Sequence, residues 1–183
     1  MKRNQLAHVL REVSLITNDA APIVIGSQSV LASFSEEDLP QEATASMEVD
    51  TAFDPDPGGV KWIAVDQEIG ELSDFHDRFG YYAQGVEIKT AILPEGWKDR
   101  LVTYEVPGPG PEPTRARCLE PHDCILAKLA RFEGKDVNFS YALVKAGLID
   151  LDILAERVGT LPASQAVIER IQTWIKGMRK RKD

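Results

Sequence analysis

The chain has 183 residues, 43% of them hydrophobic and 27% charged, which is typical of a globular protein of one domain, or of one domain with a helical appendage. Its 29 acidic and 21 basic side chains give a formal net charge of −8. That balance argues against a general nucleic-acid coat protein, although it is compatible with a local basic patch.

The first half of the chain alternates between helical and extended patterns. Apolar residues at helical spacing indicate the first helix, and a short β-branched run that ends on Gly-Ser indicates the first buried strand. In SMEVDTAF, strand alternation places Glu48 and Asp50 on one face and Val49 and Thr51 on the other. The predicted elements are a helix at 4–17, a strand at 21–26, a short helix at 28–34, a polar loop at 35–44, a strand at 46–53, a helix at 60–78, one or two strands within 81–94 and a strand at 97–106.

The stretch PGPGPEP, residues 107–113, is the clearest linker, and its prolines make it stiff. Everything after it has a helical pattern. We therefore predict a core at 1–106, a linker at 107–113 and a C-terminal helical region at 114–183 that packs on the core. The predicted helices of that region are at 121–132, 135–146, 150–158 and 162–181.

The N-terminal sequence and the cysteine content favour a cytoplasmic protein. MKRNQLAHVLREV is not a signal peptide, because polar residues interrupt its apolar stretch early, and no apolar run approaches the roughly 18 residues of a membrane span. Two cysteines are too few for a disulfide scaffold. Cys118, His122 and Cys124 spell C-x3-H-x-C, but this pattern lacks a fourth ligand, so packed thiols are favoured over a zinc site. We expect no membrane partner.

Gly26 and Ser27 stand at the junction between the first predicted strand and the short helix that follows it. Glycine lets a bulky anion approach the backbone, and a helix start offers free N–H groups and the positive end of its dipole. Serine adds a hydroxyl donor. Taken alone, Gly-Ser after a strand is more often a tight turn.

Glu48 and Asp50 point the same way from one strand, so their carboxylates repel each other and favour protonation unless a cation lies between them. Mg²⁺ is the natural cation, because proteins hold it with few carboxylates together with substrate phosphates. Two such ions, about 4 Å apart, would clamp the attacking and leaving oxygens of an in-line displacement. The alternative is a solvated sheet face. Together with Gly26 and Ser27, the pair predicts a phosphate cradle beside a metal site.

Several segments resemble the nucleotidyltransferase fold of the DNA polymerase beta superfamily, from about residue 5 to residue 150. They are VIGSQ, EATASMEVD, FGYYAQGV, LPEGWKDRLV and CLEPHDCILAKLARFEGKD. The chain is similar to uncharacterised minimal bacterial nucleotidyltransferases and to those of abortive-infection and toxin–antitoxin systems. The resemblance implies an α+β fold with a small mixed sheet, flanking helices and a C-terminal helical region. It also implies transfer of a nucleoside monophosphate from an NTP, with Mg²⁺ or Mn²⁺, to an RNA (such as tRNA) or protein acceptor.

The resemblance also implies a set of site residues. Those that would bind nucleotide are Gly26, Ser27, Lys128 and Arg131; those that would act in catalysis are Glu48, Asp50, Lys128 and Asp136, with Glu48 and Asp50 as metal ligands; Lys135 lies beside them. The usual metal pair is Asp-x-Asp, whereas this chain has Glu48 first. Residues 36–45 look like an insertion, and Glu87 is the one weak candidate for the third carboxylate of the superfamily.

Alternatives stay open at this point. The fold could be retained without catalysis, as one half of a toxin–antitoxin pair with a small DNA-binding partner protein, or residues 114–183 could form a helical DNA-binding regulator. Lys128 is in isolation a solvated helix residue, and Asp123 a partner of a helix dipole. Trp62, Trp97 and Trp174 are more typical of packing than of base stacking. The basic tail KGMRKRK is either a solvated helix end or an RNA contact.

Overall fold

A computed structural model describes residues 1–19, 21–106 and 113–181. Its α-helices are α1 (Arg3–Thr17), α2 (Gln41–Thr44), α3 (Val60–Ile69), α4 (Asp74–Phe79), α5 (Pro121–Arg131), α6 (Gly134–Lys145), α7 (Leu151–Arg157) and α8 (Gln165–Arg179). Its strands are β1 (Ile23–Val24), β2 (Glu48–Ala52), β3 (Tyr82–Gly85), β4 (Val102–Val106) and β5 (Thr114–Cys118). Short 3₁₀ helices lie at Ser27–Ala32, Pro57–Gly59, Ile88–Thr90, Trp97–Arg100 and Val158–Thr160.

The strands form one mixed sheet in the order β3-β2-β1-β5-β4. β1 is antiparallel to β2 and parallel to β5, β2 is parallel to β3, and β4 is antiparallel to β5. The predicted fold class, a small mixed sheet with flanking helices followed by C-terminal helices, is confirmed.

Residues 114–118 differ from the prediction, which described all of 114–183 as helical. They form β5, which pairs with β1 on one side and β4 on the other. The sequence TRARC carries two arginines and little apolar content, so its local pattern did not indicate a strand. The strand is instead stabilised by hydrogen bonding to a neighbouring strand on each side. Most of the predicted linker, residues 107–112, lies outside the described residues, and the division into domains at that point stays a prediction.

Two other elements differ in detail. The helix predicted at 60–78 is two helices, because Gly70 is extended, Leu72 has a positive φ of 65° and the Ser73 hydroxyl accepts from the His76 N–H to begin α4. The loop predicted at 35–44 contains the single helical turn α2. The region 81–94, predicted to hold one or two strands, holds one, β3.

One contiguous hydrophobic core joins the sheet to helices from both halves of the chain. α1 buries Leu6, Val9, Leu10 and Val13 at the spacing of an amphipathic helix. Ile171 and Ile175 of α8 belong to the same cluster of buried side chains. Within the described ranges, no helix has both the length and the apolar character that crossing a bilayer requires.

Candidate active site

The two carboxylates of β2 share one face of the strand. Val49 and Thr51 are fully buried, whereas Glu48 and Asp50 are half-buried on the opposite face. The period-two alternation predicted from SMEVDTAF is therefore present. β2 is anchored beside the Gly-Ser junction, because the N–H of Ile25 donates to the carbonyl oxygen of Asp50 at 3.1 Å.

Gly26 leaves space for the side chain of Asp50. A Cβ at residue 26 would lie 1.7 Å from Oδ2 of Asp50, a distance at which atoms overlap. The backbone of Gly26 is extended (φ −92°, ψ −166°), a conformation that any residue adopts, so glycine is required here for space and not for conformation. The junction thus positions one of the two predicted metal ligands.

Burial and like charge both act on the carboxyl pair of β2. Burial, followed by the charge of Asp50 and a hydrogen bond with it, raises the pKa of Glu48 to about 7; Lys135 and Tyr82 act in the opposite direction. Burial and the charge of Glu48 in turn raise the pKa of Tyr82 to about 12, so its hydroxyl remains a donor, 3.5 Å from Oε2 of Glu48. A nearby positive charge would relieve this repulsion.

A cleft of about 340 Å³ opens over this pair. The two carboxylates line it together with cations of α5 and α6. The residues that line it are Ser27, Glu42, Ala45, Ser46, Glu48, Asp50, Lys128, Arg131, Lys135, Asp136 and Phe139. The structure therefore brings six of the sequence-predicted site residues to this cleft, namely Ser27, Glu48, Asp50, Lys128, Arg131 and Asp136. Gly26 lies against the side chain of Asp50.

Asp136 binds both Lys128 and Arg131, two of the cations that line the cleft. Both of its oxygens accept from Arg131, at 2.7 Å each, and Lys128 Nζ lies 3.4 Å from Oδ1. Burial opposes ionisation of Asp136, but Arg131 and Lys128 outweigh it and lower its pKa. The Lys128 side chain is 15% exposed and its Nζ lies 5.0 Å from the ring centre of Phe139, so its direction is fixed. Asp136 is placed to position these two cations.

A comparison with protein families decides the identity. The model of a family described as "Nucleotidyltransferase of unknown function (DUF6036)" matches residues 4–174. The chain belongs to this nucleotidyltransferase family. The match runs from α1 into α8 and includes the whole cleft. No curated protein and no solved structure matches the chain.

Glu87, the weak candidate for a third carboxylate, does not lie in this cleft. Glu87 pairs with Lys89 and lines a different cleft, beside Trp62. The residue paired with Asp50 on the adjacent strand is Gln84, whose amide donates to Asp66. Among the described residues, no group of three or more His, Cys, Asp or Glu side chains is arranged to hold a metal.

Both cysteines, Cys118 and Cys124, are free and buried. The Cys124 Sγ lies 3.6 Å from the carbonyl oxygen of Gly26, which joins α5 to the Gly-Ser junction. His122 bonds elsewhere: its ring contacts the carboxylate of Glu120, and its Nε2 accepts from the backbone N–H of Asp150 at 3.0 Å. The thiols thus act as packing groups behind the cleft.

Sequence reasoning missed a buried ion network at the start of α5. Asp123 is fully buried and bonds Arg100 at 2.8 and 3.2 Å and Arg157 at 2.9 Å, so it is more than a helix-dipole partner. Arg157 also bonds Glu120. Arg100 and Arg157 lie 23 and 34 residues from Asp123 in the sequence, so no local pattern could have revealed these ion pairs. The network fixes the helix that carries Lys128.

Proposed function

We propose that this nucleotidyltransferase is an active, metal-dependent enzyme that moves a nucleoside monophosphate from an NTP to an RNA or protein acceptor. The observation that supports this most strongly is the single cleft between the Glu48–Asp50 pair and the cations Lys128, Arg131 and Lys135. The resemblance to toxin–antitoxin and phage-defence enzymes extends the proposal to such a system, with a small DNA-binding protein as cognate partner, acting in the cytoplasm.

The donor set of the cleft fits Mg²⁺ or Mn²⁺. Mg²⁺ is usually held by one or two carboxylates together with phosphates and water, and Glu48 and Asp50 provide that number on one strand face. Burial, followed by the charge of Asp50, raises the pKa of Glu48, and a cation bound between the two carboxylates would act in the opposite direction. The chemistry that the ion supplies when bound is neutralisation of negative charge on the phosphates.

The side chains of the chain position the substrate. Lys128 and Arg131 face the triphosphate as cations whose directions Asp136 holds, which is the preorganisation that a transferring phosphoryl group needs. Ser27 presents its hydroxyl at the start of a 3₁₀ helix in the same cleft. In the transfer, the oxygen of an acceptor hydroxyl forms a bond to the α-phosphorus and its proton passes to water, while the bond to the pyrophosphate oxygen breaks and pyrophosphate leaves with that electron pair. Catalysis is then positioning and charge neutralisation.

The test is transfer of label. The purified protein is incubated with Mg²⁺ or Mn²⁺, each NTP labelled at its α-phosphate, and either total RNA or total protein. We expect label on one acceptor class, abolished by Asp50→Asn and unchanged by Glu87→Gln, a matched carboxylate change outside the cleft. If both variants transfer label like the wild type, Glu48 and Asp50 do not form the site.

A second candidate function is a binding protein that has kept the fold without catalysis. Gln84 favours it, because an amide occupies the position next to Asp50 on the adjacent strand, where a further carboxylate could have completed the metal site. An NTP bound with the same affinity with and without metal, and no transfer of label, would support this function instead.

A further inference from the structure

A second groove, of about 510 Å³, lies between α6 and α8 and combines aromatic and basic side chains. The half-buried side chains of Tyr141 and Trp174 line it, together with Arg181. The guanidinium of Arg181 and the ammonium of Lys145 lie 5.8 and 6.0 Å from the ring centre of Tyr141. In the described part of the chain, none of the residues that line this groove is acidic, although the chain as a whole carries −8.

α6 connects this groove to the active-site cleft. Lys135, Asn138 and Tyr141 follow each other at intervals of three residues, so they are neighbours along the helix surface. Lys135 lines the cleft, whereas Asn138 and Tyr141 line the groove. The one carboxylate of α6, Asp136, is fully buried and paired, so the exposed face of α6 presents cations, an amide and an aromatic ring.

We propose that the groove between α6 and α8 binds a single-stranded segment of RNA, with a base against Tyr141 and Trp174 and the phosphates beside Lys145 and Arg181. Aromatic faces that alternate with cations are how proteins hold unpaired nucleotides. The groove is too small for a duplex, and RNA commonly exposes unpaired loops and ends with bases free to stack. We also propose that the bound RNA is the acceptor and that it extends along α6 to Lys135. This part of the proposal rests on the proposed function.

Gly177 permits a sharp test of the groove. It lines the groove, and a Cβ built there meets no atom within 4 Å, so a methyl group fits without displacing its neighbours. Gly177→Leu fills the space, whereas Gly177→Ala leaves it open and improves helix propensity. Arg181→Gln and Lys180→Gln form a second matched pair, because each removes one positive charge from the end of α8 but only Arg181 lines the groove.

The experiment measures fluorescence anisotropy of a labelled single-stranded RNA, about 12 nucleotides long, with the full chain in about 150 mM salt and without metal or NTP. We expect Gly177→Leu, Tyr141→Ala and Arg181→Gln each to weaken binding about tenfold or more, while Gly177→Ala and Lys180→Gln bind like the wild type. Melting temperatures of all variants confirm that they are folded.

Three results would overturn the proposal: no binding by the wild type, equal losses in Arg181→Gln and Lys180→Gln, or tighter binding of duplex RNA or of single-stranded DNA of the same sequence. Because the assay contains no NTP, its failure leaves label transfer to be judged separately. Conversely, RNA binding without transfer would support the groove and count against the enzyme.

Discussion

The carboxylate of Asp50 occupies the space where a side chain of residue 26 would lie: a Cβ on Gly26 would be 1.7 Å from Oδ2 and 2.6 Å from Cγ of Asp50. The strand–Gly-Ser junction and the second carboxylate of Glu-x-Asp are therefore one structural unit. A substitution at Gly26 therefore affects the position of Asp50, and a substitution at Asp50 changes the space available at residue 26.

Gly26→Ala should lower the free energy of unfolding of the metal-free protein by about 1–3 kcal/mol, the usual cost of overpacking. Adding Asp50→Ala removes the two closest atoms, so the double variant should recover most of that loss. Denaturant unfolding measures both. Gly159→Ala is the control, because a Cβ there meets nothing within 4 Å. Strictly additive effects of the two substitutions would show that the residues do not compete for space.

If the proposed function holds, Lys128→Ala should lower the rate of nucleotide transfer about 10²- to 10³-fold, because it would remove a cation that Asp136 positions in the cleft proposed to bind the phosphates. Stability should fall only modestly, by about 1 kcal/mol, since the lost contacts are the packing on Phe139 and one ion pair. Lys89→Ala, at an exposed pair outside the cleft, serves as control. Transfer at the wild-type rate in Lys128→Ala would remove this lysine from the site.

Glu120 should make the fold sensitive to acid. Burial opposes its ionisation, but His122 and Arg157 outweigh burial and lower the pKa of Glu120 to about 2, below its ordinary 4.5. A lowered folded-state pKa contributes stability that is present above the unfolded value and is lost as the pH falls towards the folded one. The loss between about pH 5 and pH 2 should be about 1–2 kcal/mol after allowance for solvent screening.

Urea unfolding across that pH range tests this expectation. Glu120→Gln should have a lower free energy of unfolding than the wild type at neutral pH, and this difference should become smaller as the pH falls. A difference that stays constant with pH would show that the ionised carboxylate of Glu120 is not its source.

The sequence could predict what depends on local periodicity. Glu48 and Asp50 were placed on one face because strand alternation has a period of two and needs no partner strand. β5 could not be predicted in this way, because the strand character of TRARC comes from pairing with β1 and β4, far away in the chain.

Contacts between site residues that are distant in sequence could likewise not be predicted from local patterns. The approach of Lys128 to the β2 carboxylates was expected only from the family resemblance, since no local pattern links them. The burial of Asp123 against Arg100 and Arg157 had no signal at all, because an acidic residue in the first turn of a helix is ordinary on an exposed surface. Charge networks of this kind are specified by tertiary packing.

The central proposal, that Glu48 and Asp50 would hold a metal ion that assists NTP binding, is tested most directly by thermal unfolding with Mg²⁺ or Mn²⁺ and an NTP, added singly and together. With the NTP at about 100 times its dissociation constant, the metal and the NTP together should raise the melting temperature by about 5–10 °C, well beyond the sum of their separate effects. Asp50→Asn should lose the joint effect and Glu87→Gln should keep it. A joint effect of the same size in Asp50→Asn, or none in the wild type, would contradict the account.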